Sequence, residues 1–139
     1  LERIAAKVKR EKGNQPPPFG SWFEVDVALE LIRRDFVVLP QYEVAGKWID
    51  LVVDGGQARL AVECDGDEYH GIDRYEADMQ RQRQLERCGW EFFRIRESTF
   101  RANKVDDINN LLEVLRARGI SPQCSDMSCH SNNIYPKEK

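Results

Sequence analysis

The sequence predicts an α/β domain, a mixed four-stranded sheet flanked by helices. Apolar residues recur at helical spacing in one early and one late stretch, and short β-rich runs lie between them. A Gly-Gly pair separates two of these runs, a hairpin signal because both positions accept positive φ. The length of 139 residues with 41% hydrophobic content suits one domain with one core.

The first helix opens at Ser21-Trp22-Phe23-Glu24, where serine followed three residues later by glutamate forms a capping box. Phe23, Val27 and Leu31, widened by Ala28 and Ile32, carry its apolar stripe to about Arg34. Phe36-Val37-Val38-Leu39 then leads through Pro40 into Gln41–Val44, and Ala45-Gly46 is a turn. Trp48–Val53 and Arg59–Cys64 read as two further strands around Asp54-Gly55-Gly56-Gln57. A charged helix is expected over Asp73–Cys88, ended by Gly89. Trp90–Arg96 reads as the fourth strand, and Val105–Arg118 as a last helix with Ile108, Leu111, Leu112 and Leu115 on one face. The order is α-β-β-β-α-β-α.

With Gly55 and Gly56 as a two-residue loop, paired residue numbers sum to 111, and Asp50 lies opposite Ala61. Ile49, Leu51, Val53, Leu60, Val62 and Cys64 then form an apolar face, and Asp50, Glu63 and Asp65 gather on the other. Asp50 and Glu63 become diagonal neighbours with Cα atoms about 7–8 Å apart.

Composition narrows the function. No apolar run approaches a membrane span and no signal peptide opens the chain, so a cytoplasmic location with reduced cysteines is expected. The balance of 24 acids against 21 bases, net −3, argues against a strongly basic nucleic-acid binder. It leaves room for a locally basic groove around an acidic centre. Residues 1–18 read as a charged segment and proline-rich linker, 19–120 as the domain, and 121–139 as a flexible polar tail. The chain is therefore expected to be a domain of something longer. Cys124, Cys129 and His130 have metal-ligand residue types without an evident fourth ligand.

The carboxylates carry the chemistry. Asp50, followed after twelve residues by Glu63-Cys64-Asp65, places acids on adjacent strands, where they suit a hard divalent cation such as Mg²⁺. Such an ion polarises a phosphoryl oxygen and activates water.

With these motifs in view, residues 21–119 resemble a PD-(D/E)XK nuclease domain of the very-short-patch-repair (Vsr) endonuclease-like branch. The version found at the C-termini of bacterial superfamily 1 DNA/RNA helicases and related ATPases is the most similar. The resemblance is carried by Phe19–Val25, Pro40–Gly46, Ile49–Val52, Ala61–Asp67 with His70, Tyr75–Met79, Arg81, Leu85, Cys88-Gly89-Trp90 and Phe93-Arg94. It implies a restriction-endonuclease-like αβββαβ core that hydrolyses phosphodiester bonds in DNA, with RNA as the second choice, and a covalent link to a helicase region. By resemblance Asp50 and Glu63 form the metal-binding pair, assisted by Asp65 and the Cys64 backbone carbonyl, with Mg²⁺ as cofactor and Mn²⁺ as substitute. Asp65 stands where the wider superfamily usually places lysine, a departure this branch shares.

His70 is the local candidate for general acid/base, since imidazole titrates near neutrality; it is equally suited to packing in its loop. Glu24 would complete the acidic site, against its competing role in the capping box. Arg81 and Arg94 are candidates for phosphate recognition through their forked donors. The plainer reading of their region is a solvated face with pairs such as Asp78/Arg81. Gln80 and Gln84 are weaker candidates. Trp22, Trp90, Phe92 and Phe93 suit the core, whereas Trp48 shares the expected face of Asp50 and could meet substrate. The alternative is a catalytically inactive nuclease-like module that binds nucleic acid or tethers a helicase.

Overall fold

Ser21 opens the first helix as expected, its hydroxyl accepting the Glu24 amide at 3.1 Å in a computed structural model that describes residues 15–66 and 71–123. The Glu24 carboxylate does not return to Ser21; it takes the Gly20 amide at 2.8 Å. Helix α1 spans Trp22–Ile32 and buries Phe23, Val27 and Leu31. The expected 1–18 linker up to residue 14, and the tail with Cys124, Cys129 and His130, lie outside the described residues.

Strand β1 (Val37–Val44) runs unbroken through Pro40. It is an edge strand, in the order β1-β2-β3-β4, so the missing proline amide need not cost a ladder bond. Ala45 (φ 52°) and Gly46 (φ 78°) make a two-residue turn into β2 (Lys47–Asp54), with Val44 opposite Lys47.

Between β2 and β3 (Arg59–Asp65) the expected register is corrected. Leu51 faces Val62, Val53 faces Leu60 and Asp54 faces Arg59, so paired numbers sum to 113 instead of 111. The loop therefore holds Gly55 to Ala58. Asp54 Oδ1 accepts the Gly56 amide at 2.9 Å, the Gly55 amide donates to Ala58 O at 2.8 Å, and Gly56 takes φ 89°. A slip of two keeps each side chain on its own face, so the apolar pattern does not distinguish the two registers.

Helix α2 (Gly71–Arg87) crosses to β4 (Phe92–Arg96), which pairs parallel with β3. A short helix, α3 (Glu97–Ala102), precedes α4 (Lys104–Ala117), whose first turn is capped by Asn103 on the Asp106 amide. Helix α3 is not expected from the residues; it brings Phe100 edge-on to Phe23, with ring centroids 5.4 Å apart.

Both faces of the sheet are covered. On one, Phe23, Val27 and Leu31 of α1, Phe100 of α3, and Ile108, Leu111 and Leu115 of α4 pack on Leu51, Val53, Leu60, Val62 and Ile95. On the other, Leu85 of α2 and Trp90 pack on Val52, Ala61 and Ile49. Ile49 thus departs from its expected face. Alternation breaks in both strands at one level: Val38 joins the first cluster and Leu39 the second, yet Tyr42 and Val44 both join the second. Gln41, with φ 48°, stands at that level in β1, and Asp50 in β2. No helix among the described residues is long and apolar enough to cross a membrane.

Leu115 is fully buried and joins α4 to the sheet cluster. Leu115→Ala is expected to destabilise the domain by about 2–5 kcal/mol, read from the urea unfolding midpoint at unchanged slope.

Candidate active site

Strands β2 and β3 separate at the level of Asp50 and Glu63. Their ladder ends at Leu51 and Val62; below it β2 pairs with β1 (Ile49 with Tyr42) and β3 with β4 (Glu63 with Arg94). Carried one step past the end of the ladder, the 113 numbering sets Asp50 against Glu63 instead of Ala61. Side chains take over from the ladder there. The Asp50 amide donates to Glu63 Oε2 at 3.2 Å, and the Cys64 amide donates to Asp50 Oδ2 at 2.9 Å.

Glu24 reaches this place from α1. Its Oε1 accepts both the Gly20 amide and Gln41 Nε2, the latter at 3.0 Å. A Cβ on Gly20 would lie 3.0 Å from Glu24 Oε2, so the carboxylate packs closely on that backbone. Glu24 and Glu63 are buried, at 6% and 5% exposure, and Asp50 is half-buried.

Burial and neighbouring charge shift two of these acids. Burial, then the carboxylates of Glu63 and Glu24, push Asp50 up to about 8 against the opposing Cys64 amide bond. Burial likewise raises Glu63, although the Arg81 charge pulls it back. The Cys64 thiol is pushed well up by burial and the surrounding carboxylates, so it is no thiolate nucleophile.

On the α2 side the negative charge is balanced by two arginines. Arg81 Nη2 meets Glu63 Oε1 at 2.8 Å, and its Nη1 donates to Trp48 O at 2.9 Å. Arg94 forks onto Asp65, with Nε to Oδ2 at 3.0 Å and Nη2 to Oδ1 at 2.9 Å. Asp78 joins the two: Oδ1 takes Arg81 Nη2 at 2.9 Å, and Oδ2 takes Arg94 Nη2 at 2.6 Å. Gln82 also holds Arg94.

The structure therefore brings together Asp50, Glu63 and Glu24, and Arg81 with Glu63. Asp65 instead lies against Arg94 and Asp78. Trp48 is 53% exposed at the start of β2, with its carbonyl on Arg81. His70 lies outside the described residues. Gln41 and Asp78 were missed as site residues. Asp78 was visible only as a helix-surface partner of Arg81, and nothing in the sequence marks Gln41 as left-handed. Gln82, instead of Gln80 or Gln84, meets Arg94.

The groups gathered here are carboxylate oxygens, the ligand type that hard cations take. Among the described residues, hydrogen bonds to Glu24 and to Asp50 each fall on one oxygen, which leaves the other oxygen of each as a donor. No three His, Cys, Asp or Glu of the described residues are grouped for metal ligation. The centre is thus a carboxylate pair with a third carboxylate nearby.

The profile of the REase_MTES_1575 family matches residues 23–115, a span that includes Glu24, Gln41, Asp50, Glu63, Asp65, Asp78, Arg81 and Arg94. No curated protein and no solved structure matches the chain significantly.

Because the folded-state proton affinity of Asp50 lies above its unfolded value, its ionisation costs folding free energy. The cost begins above the ordinary value of 3.8 and grows until about pH 8. Asp50→Asn, which can still accept the Cys64 amide, is expected to stabilise the metal-free protein by about 2 kcal/mol or more at pH 8. The gain shrinks to nothing near pH 4, as followed by denaturant melts across the range.

Proposed function

We propose a metal-dependent nuclease acting on DNA for this chain, which belongs to the REase_MTES_1575 family, a restriction-endonuclease-like family. The observation that carries this reading is the buried Asp50–Glu63 pair at the parting of β2 and β3, each carboxylate holding an amide of the opposite strand. Two acids placed so close repel without a cation; burial and then the carboxylates of Glu63 and Glu24 raise the proton affinity of Asp50, and burial raises that of Glu63.

Asp50 and Glu63 would hold a divalent cation, Mg²⁺ or Mn²⁺, with Glu24 contributing directly or through water. Such an ion supplies Lewis acidity, polarising a phosphoryl oxygen and lowering the pKa of water beside it. The chain's own groups do the positioning. Gln41 and the Gly20 amide hold Glu24 by one oxygen. Asp78 and Asp65 hold Arg94, whose guanidinium offsets their charge and would be a donor for the phosphate backbone. Trp48, exposed beside Arg81, offers a ring against which a base can stack. His70 serves as the general acid/base, taking or giving a proton at the phosphodiester oxygens.

Asp65 in the place of the superfamily's usual lysine argues for the Vsr-like branch, and its pairing with Arg94 supplies a cation where the lysine would otherwise stand. The helicase linkage rests on the resemblance to domains at helicase C-termini.

Nicking of supercoiled plasmid in Mg²⁺ tests the reading. Asp50→Ala and Glu63→Ala are expected to fall to background while remaining folded by circular dichroism. Glu24→Gln should lose activity by about 10–100-fold, the size of a supporting contact to a metal site. Undiminished nicking by Asp50→Ala or Glu63→Ala would exclude the site. A wild type that binds DNA and never cleaves it in Mg²⁺ or Mn²⁺ would favour the inactive binding module.

A further inference from the structure

Among the described residues, Glu63 is the one of the three carboxylates at the parted strands engaged through both oxygens: Oε2 by the Asp50 amide and Oε1 by Arg81 at 2.8 Å. The second of these partners is itself a cation. A guanidinium and a divalent ion on one carboxylate oxygen repel each other, strongly so where water is scarce, and they therefore compete for Glu63.

Arg81 has two further anchorages: the Trp48 carbonyl on Nη1 at 2.9 Å, which a move of the Nη donors would give up, and Asp78. Asp78 Oδ1 takes its Nη2 at 2.9 Å and its Nε at 3.3 Å, and Asp78 is itself fixed from the far side by Arg94. The guanidinium can leave Glu63 without losing Asp78. The Arg81 side chain is 20% exposed against 6% for Glu63, so the charge that moves is the one solvent already reaches.

We propose that Arg81 is the resident counter-cation of the acid site. It neutralises Glu63 in the metal-free protein and moves its Nη donors to a backbone phosphate of the substrate when a divalent cation takes Glu63, pivoting on Asp78. The proposal rests on the metal-site reading of Asp50 and Glu63. Its consequence is that cation and nucleic acid strengthen each other's binding: phosphate draws Arg81 away, and Glu63 is released to the ion. By linkage, the ion tightens nucleic-acid binding by the same factor. Arg81 and Asp78 are then positioning residues that set when the site loads.

Mn²⁺ titration, followed by the paramagnetic resonance signal of the free ion, tests this with and without a short DNA duplex carrying phosphorothioate linkages. All four proteins are titrated at one fixed pH. Without DNA, Arg81→Gln is expected to bind Mn²⁺ about tenfold more tightly than wild type, and DNA should tighten wild type by a similar factor. DNA should leave Arg81→Gln nearly unchanged. Arg81→Lys, which keeps the charge, should bind as weakly as wild type in the absence of DNA and so separates charge from folding defects. Asp78→Asn keeps the Glu63 pair but loosens the pivot; it should bind Mn²⁺ as wild type does and lose most of the DNA-induced gain. Equal or weaker Mn²⁺ binding by Arg81→Gln, or an equal DNA effect in all four proteins, overturns the proposal while the metal site stands. Absence of Mn²⁺ binding in every protein overturns the metal site and the proposal together.

Discussion

The two central strands cannot stay paired along their whole length. Beyond Leu51 and Val62, β2 continues with β1 and β3 with β4, and the amides that faced each other across the ladder lose their backbone partners. A buried N–H without a partner is costly, so something must fill the gap. Asp50 and Glu63 do so with their side chains, each accepting an amide from the opposite strand. The pair of acids that resembles a nuclease centre is thus also the repair of a sheet that divides. Their closeness is a consequence of that division, and burial there raises the proton affinity of both.

The two helical layers reach this point from opposite faces and bring opposite chemistry. From α1 comes Glu24, held on one oxygen by Gly20 and by a left-handed Gln41, which adds negative charge to the pair. From α2 comes Arg81 and from β4 Arg94, which balance the charge on Glu63 and Asp65, while Asp78 of α2 bridges the two guanidinium groups. The hydrophobic clusters on the two faces keep both helices pressed to the sheet, so the acids cannot relax apart. Stability is sacrificed at the site and recovered in the core, the usual arrangement at functional positions.

Much of the fold is legible in the residues. The capping box at Ser21, the stripe Phe23–Val27–Leu31, the Ile108–Leu115 face and the β-rich runs around Gly55-Gly56 each use local periodicity, and each element forms within a few residues of its expected bounds. The separation of Asp50 and Glu63 along the chain was enough to place both near the same end of adjacent strands. The face of Ile49 was not legible, because alternation holds only while a strand stays regular, and Gln41 and Asp50 mark the level where it stops. Nor was the role of Asp78: from sequence it is one of several acids on a charged helix, and only its two distant partners distinguish it.

By itself the sequence determined the α/β class, the order of the strands and helices apart from α3, most of the residues that turn to the main core, and the carboxylate types that the chemistry needs. Tertiary structure decided the register, and with it whether Asp50 looks at Ala61 or at Glu63. The reason is the period of the strand. Side chains repeat every two residues, so a slip of two preserves the entire apolar face and is invisible to pattern, yet it moves a functional side chain by two residues along its partner strand. The Asp54–Gly56 bond and the Gly55–Ala58 closure settle that slip in a four-residue loop. The same holds for Arg81 and Arg94. Their identity is written in the chain, but the acids they meet are chosen by how α2 and β4 pack around the parted strands.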